Sequence, residues 1–144
     1  MTSRLSDETL RRLQERGYRV TGPRRAVLEA AQTWDGAFTA DELWSHLEQS
    51  SQPVGRATVF RTLDLLVQHG VLDRLHRPDG CHTYIVSIGS DRHHHHLICS
   101  DCGAVVQFEG CSVDAMLGEL GRQTNFRISG HWLEVFGTCA ACQD

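Results

Sequence analysis

Apolar positions change their period near the middle of the chain. Up to about residue 70 they recur every three or four residues, the spacing of helices with one buried stripe. Beyond that they alternate or gather in short Val/Ile-rich runs, the spacing of strands. Residues 6–16 carry a stripe at Leu10 and Leu13, with Ser6 placed as a helix N-cap. A second helix is predicted from Thr21, with Pro23 in its first turn and Ala26, Val27, Ala30 and Ala31 on its apolar side. Thr39-Ala-Asp-Glu42 is a capping-box pattern that opens a third, with Leu43, Trp44 and Leu47 facing inward. A fourth runs from about Gly55 to His69 and stops at Gly70. Its residues Val59, Leu63, Leu66 and Val67 share one face.

The stretch "VLDRLHRPDGCHTYIV" then gives two short strand-like runs around Pro78-Asp79-Gly80, a hairpin turn. Three or four short helices followed by a hairpin make a winged helix-turn-helix. The second half reads α+β: strand character over His93–Phe108 with a break at Cys99–Gly103, a short amphipathic helix over residues 112–123, and a returning strand from Phe126 to Phe136. The turn-rich "SIGSDR" separates the halves. The predicted organisation is a winged-helix domain over residues 1–86, a hinge at 87–93, and a small α/β domain over 94–144.

Charge sharpens this division. The net charge of −4 belongs to the second half: residues 1–86 hold 11 Arg and 11 acids, whereas residues 87–144 hold 3 Arg and 7 acids. The first 25 residues carry seven Arg against three acids, and the chain has no Lys. Arg suits bidentate contacts to phosphate and guanine, although an Arg-bearing helix face is otherwise simply solvated. No apolar run approaches the roughly 20 residues of a membrane span. The start, "MTSRLSDETLRRLQERG", lacks the apolar core of a signal peptide. A cytoplasmic protein is expected. In a reducing compartment, six cysteines point to metal or redox chemistry rather than disulfides.

Four of those cysteines form two knuckles, Cys99-x-x-Cys102 and Cys139-x-x-Cys142. Each can place two thiolates on one ion, and together they complete a tetrahedral zinc site. With four thiolates no position stays open for a substrate, so the expected role is structural; a redox dithiol is the competing reading. Cys81 and Cys111 stand outside this set. Just before the first knuckle lies His93-His-His-His96, internal to the chain, unlike a purification tag. On a strand, His93 and His95 face one way and His94 and His96 the other, giving two pairs for two separate ions. Candidate partners are His131, Asp114, Asp73, Cys81, His82 and Ser87.

The segments "YRVTGPRRAVLEA", "FTADELW", "RATVFRTLDLLVQHGVL", "HHHHLICSDCG" and "GTCAAC" together resemble the ferric uptake regulator (Fur) superfamily of metal-dependent bacterial repressors, over roughly residues 18–142. The resemblance implies an N-terminal DNA-binding winged helix and a C-terminal α/β dimerisation domain. It assigns Cys99, Cys102, Cys139 and Cys142 to a structural zinc, His94 and His96 to a regulatory hinge site, and His93, His95, Asp114 and His131 to an additional site. Ala37 and Phe38 stand where the iron- and peroxide-sensing branches usually carry a histidine, and Gln107 where the latter carries an acid. Asp73 matches a hinge ligand of the zinc-sensing branch (Zur), but Ser87 replaces that branch's hinge cysteine. Cys81, His82 or a water is then left to complete the set.

The expected function is a metal-responsive repressor of metal-uptake genes, with a regulatory Zn²⁺ or alternatively Fe²⁺ or Mn²⁺. The partners implied are a double-stranded, inverted-repeat operator and a second copy of the chain. The fourth helix should read DNA with Arg56, Thr58 and Arg61. Phe60, in place of the family's usual tyrosine, suits a thymine methyl, and Arg24 and Arg25 suit phosphates. A zinc enzyme and a structural zinc module are the competing classes. The chain lacks His-Glu-x-x-His and the His-x-Glu that zinc deaminases place before their Cys-x-x-Cys. A zinc module leaves the winged helix unexplained.

Overall fold

A computed structural model of the chain describes residues 2–77, 80–87, 94–109 and 112–144. The fold is α+β, in two compact units, residues 1–89 and 90–144.

Unit 1 contains α1 (Thr2–Glu15), α2 (Gly22–Thr33), α3 (Ala40–Glu48), α4 (Arg56–Gln68) and a hairpin of β1 (Leu72–His76) and β2 (His82–Val86). Thr21 caps α2 by accepting from the Arg24 amide, and Pro23 sits in the first turn. Thr39 and Glu42 close the capping box of α3 reciprocally, at 3.1 and 2.7 Å. Ser6 does not cap α1. The helix begins earlier, and the Ser6 hydroxyl is fully buried within it, donating to the Gln32 side chain of α2 at 2.6 Å. Burying that hydroxyl with a partner avoids the cost of an unmade hydrogen bond. On α2 the buried positions are Val27, Leu28 and Ala31; Ala26 and Ala30 pack at the margin. Leu28 extends the stripe read from the sequence. Together with Leu10, Leu13, Leu43, Leu47, Val59, Leu63 and Leu66, these residues form one continuous apolar core. Phe38, just before α3, bridges to Tyr84 through two backbone hydrogen bonds of 2.9 and 2.7 Å, tying the hairpin to the helices. The Pro78-Asp79 part of the predicted turn lies outside the described residues.

Unit 2 contains β3 (His94–Cys99), β4 (Val105–Glu109), α5 (Asp114–Thr124) and β5 (Glu134–Gly137). The sheet order is β4-β3-β5, with β3 antiparallel to β4 and parallel to β5. The strand expected from Phe126 contracts to Glu134–Gly137. The reason lies at the end of α5: Asn125 turns into the left-handed region (φ 58°), and the Phe126 amide donates to the Gly121 carbonyl at 3.0 Å. The chain then folds back so tightly that a Cβ on Gly121 would lie 2.9 Å from the Phe126 carbonyl oxygen. Ile128 then lies beside Gly121 of α5, ahead of β5. No helix among the described residues is long and apolar enough to cross a membrane.

Candidate metal centre and nucleic-acid interface

The four knuckle cysteines converge. Cys99 is the last residue of β3, and the chain reverses behind it, with the Gly103 amide donating to the Cys99 carbonyl at 2.9 Å. Gly103 has φ 76°, which a side chain would strain. Parallel pairing sets Gly137 of β5 beside Cys99, and the Ser100 amide donates to the Gly137 carbonyl at 2.8 Å. That delivers the second knuckle, closed by a bond of 2.9 Å from the Cys142 amide to the Cys139 carbonyl. All four sulfurs lie within 4.8 Å of one another, and Cys102 Sγ is 3.7 Å from Cys139 Sγ. Four sulfurs each about 2.3 Å from a central zinc stand roughly 3.8 Å apart, so the spacing fits a tetrahedral ion.

The electrostatics suit a cation as well. Amide hydrogen bonds from Cys102 and Cys139 bring the Cys99 thiol down to about 6. Hydrogen bonding to Cys139 and Cys102 pushes the Cys142 thiol up to about 12. Four thiols this close cannot all ionise unless a cation joins them. None of the described cysteines is in a disulfide. A four-sulfur convergence goes beyond what a simple dithiol pair requires.

Three of the histidines, His94 to His96, open β3. His95 and His96 lie on opposite faces and are both buried, at 1% and 7% exposure. The His95 ring packs 5.3 Å from that of His131 and 5.7 Å from that of Phe108. His96 stands opposite Gln107 on β4 and Glu134 on β5. His131 is therefore a neighbour of the histidine strand but belongs to the segment before β5, not to the last strand as expected. Asp114 opens α5, and with His131 it lines a cleft of about 610 Å³ that also includes Arg122, Asn125 and Ser129. Of the four residues expected in the additional site, His95 meets His131, and Asp114 shares the cleft with His131. His93 lies outside the described residues, as do Cys111 and the side chain of His94.

In the hairpin, Asp73 is half-buried opposite Ile85. His82 stands opposite His76, three rungs further along and on the other face. Three rungs span roughly 10 Å. The register thus places His82 three rungs from Asp73. Ser87 follows β2, and its amide donates to the Val71 carbonyl at 3.0 Å, at the Asp73 end of the hairpin.

On α4, Arg56 and Arg61 are exposed near the N-terminal half, while Thr58 and Phe60 are half-buried. Arg56 pairs with Asp41 at 3.1 Å, and its guanidinium lies 4.7 Å from the centre of the Phe60 ring. Arg61 has no side-chain partner among the described residues. Arg24 donates to the Arg19 carbonyl at 2.6 Å, and Arg25 pairs with Asp7 at 2.8 Å, which holds its guanidinium above its ordinary range. Sequence reasoning missed Asp7 and Asp41 as partners of these cations. The signal was thin: an acid in the first turn of α3 reads as ordinary helix-end charge.

Comparison with known proteins agrees with this architecture. The ferric uptake regulator family model matches residues 15–136. The chain is 35% identical over 129 residues to the ferric uptake regulation protein of Shigella flexneri, covering 89% of this chain and 86% of that protein. It is 31% identical over 132 residues to the corresponding protein of Neisseria meningitidis serogroup A (strain Z2491), covering 91% and 90%. A solved zinc uptake regulator in complex with zinc and DNA superposes with a TM-score of 0.74 at 26% identity, over 99% of this chain and 95% of that one. The chain belongs to the ferric uptake regulator family, whose members are metal-responsive, DNA-binding transcription regulators and not enzymes.

Proposed function

We propose that the protein is a cytoplasmic, zinc-sensing repressor of metal-uptake genes that binds an inverted-repeat operator as a homodimer. The observation that carries this reading is the composition of β3. One short strand ends in a Cys₄ cluster at Cys99 and begins with the histidine run, two of whose members are buried on opposite faces.

In this reading the Cys₄ set holds a structural zinc, closed to substrates and confined to unit 2. The regulatory ion takes Asp73 from unit 1 and His94 and His96 from unit 2, with Cys81, His82 or a water as the remaining ligand. An ion shifts an equilibrium only if it binds one arrangement better than another. Ligands drawn from both units meet that requirement, whereas the Cys₄ set does not. His93, His95, Asp114 and His131 form the additional site. Arg61 reads a base edge, Arg56 and Thr58 lie beside it, Phe60 meets a thymine methyl, and Arg24 and Arg25 hold phosphates.

Support for zinc comes from Asp73, from Ala37 and Phe38 before α3, and from the likeness to the zinc- and DNA-bound regulator. An imidazole and carboxylate set also binds Zn²⁺ more tightly than Fe²⁺ or Mn²⁺. The iron reading draws on the curated relatives above, both ferric uptake regulation proteins. Support for the dimer is the apolar surface of unit 2: Trp132 is 98% exposed and Phe126 73%.

The test uses duplex DNA selected in vitro on zinc-loaded protein. Binding is expected under buffered free Zn²⁺, lost with chelator and weakened by salt. If protein filled with zinc stays inactive while Fe²⁺ or Mn²⁺ restores binding, the zinc assignment is wrong.

A further inference from the structure

The first residue of α4 is held by the helix before it. Arg56 and Phe60 stand one turn apart on α4, and Asp41 and Trp44 one turn apart on α3, so each pair shares a helix face. The two faces meet through the Arg56 side chain. Its Nε and Nη2 both donate to Asp41 Oδ1, at 3.2 and 3.1 Å. Its guanidinium carbon lies 4.7 Å from the centre of the Phe60 ring and 5.9 Å from that of Trp44. A planar cation bonded along one edge and set against two rings keeps few rotamers. No hydrogen bond among the described residues takes its Nη1 group, so the end of the fork still has donors to offer.

Stability does not account for an acid at this place. Both side chains of the pair are exposed, and exposed ion pairs add little to folding. Toward DNA the Asp41 carboxylate is unfavourable, because it repels phosphates and offsets the charge of Arg56. The gain lies in selectivity. A loose guanidinium finds phosphate oxygens on any sequence, whereas a fixed one matches only a base edge whose acceptors meet its fork.

We propose that Asp41 is a specificity-determining residue for DNA binding. Together with Trp44 and Phe60 it orients Arg56 for a base edge, and it withholds that guanidinium from the phosphates of unrelated sequences. Asp41 acts through Arg56 and is a positioning residue. The proposal rests on the reading of α4 as the helix that meets DNA.

The experiment measures the affinity of full-length, zinc-loaded protein for the in vitro-selected duplex and for a random-sequence duplex of equal length, across a range of salt. Asp41→Asn keeps the shape of the side chain and removes its charge. It should bind the random duplex more tightly, with a salt slope steeper by about 1, since one more cation meets phosphate. It should bind the selected duplex no better than the wild type, so the ratio of the two affinities falls roughly tenfold. Thermal unfolding should stay unchanged. In an Arg56→Ala background, Asp41→Asn should leave the ratio as it is. An unaltered ratio in Asp41→Asn overturns the proposal, and so does a fall that persists without Arg56. A lowered unfolding temperature with weaker binding to both duplexes also overturns it, by giving Asp41 a structural role. Arg61→Ala separates this proposal from the reading beneath it. If that variant keeps full affinity for the selected duplex, the reading of α4 fails and the proposal with it. If it weakens binding while Asp41→Asn changes nothing, the proposal alone fails.

Discussion

The two units are held together by different forces. Unit 1 buries a continuous set of large apolar side chains drawn from all four helices and both hairpin strands. In unit 2, Ile98 and Cys99 are the fully buried apolar residues among those described, and α5 buries none. Among the described residues, Leu5 is the one large apolar residue left exposed in unit 1, whereas Val106, Met116, Leu120, Phe126, Trp132 and Phe136 are among those of unit 2. A unit as short as residues 90–144 with so little core cannot offset its conformational entropy by burial alone. In the proposed reading, metal at the cysteines and a second copy against its apolar face complete it. On that reading unit 1 folds by burial, whereas unit 2 depends on what it binds.

The sharpest break in that comparison is Cys99→Ser. Structural zinc contributes about 10–16 kcal/mol of folding free energy in small zinc-binding peptides. The variant should lose one zinc and unfold unit 2 while unit 1 keeps its helices, as read by hydrogen exchange. Acid should act the same way on the wild type: protons compete with zinc for the thiolates, so falling pH releases the ion and unit 2 loses protection first. Protection of unit 2 that survives zinc removal would show that burial suffices there after all.

Leu63→Ala probes the other side. Leu63 is fully buried in α4, and its truncation should cost about 2–5 kcal/mol in denaturant unfolding of unit 1. Zinc content should stay unchanged. Trp132→Ala follows, at about 2 kcal/mol of dimer stability if Trp132 anchors the interface. Sedimentation should then show the protomer at concentrations where the wild type is dimeric. An unaltered dimer would leave Trp132 outside the interface. Arg61→Ala should cost about 1–3 kcal/mol of specific DNA binding, with loss of discrimination at one base pair. An unchanged affinity would remove Arg61 as a base reader.

The contrast also explains what was legible in the sequence. Thr21, the Thr39–Glu42 capping box and the α4 stripe are local signals, and each marks its element within a residue or two. The cysteine convergence was legible because knuckle spacing encodes it. Ser6 misled because a hydroxyl at a helix start reads as a cap, and only the partner Gln32 on another helix reveals its burial. Residues 126–133 have strand character, yet the turn at Asn125 folds the chain back beside Gly121, and strand pairing starts only at Glu134. The His76–His82 rung escaped the sequence reading for a related reason: facing side chains depend on strand register, which the apolar pattern of a short hairpin does not reveal residue by residue.

In the proposed reading, the ion held through β3 acts on DNA binding and not on the fold. That reading is tested most directly by measuring operator affinity across buffered free Zn²⁺ for the wild type and His96→Ala, each with its structural zinc and dimer verified. The account predicts that the wild type gains affinity steeply as zinc rises, while His96→Ala stays folded and dimeric but flat. A zinc-dependent rise in His96→Ala equal to that of the wild type would contradict it.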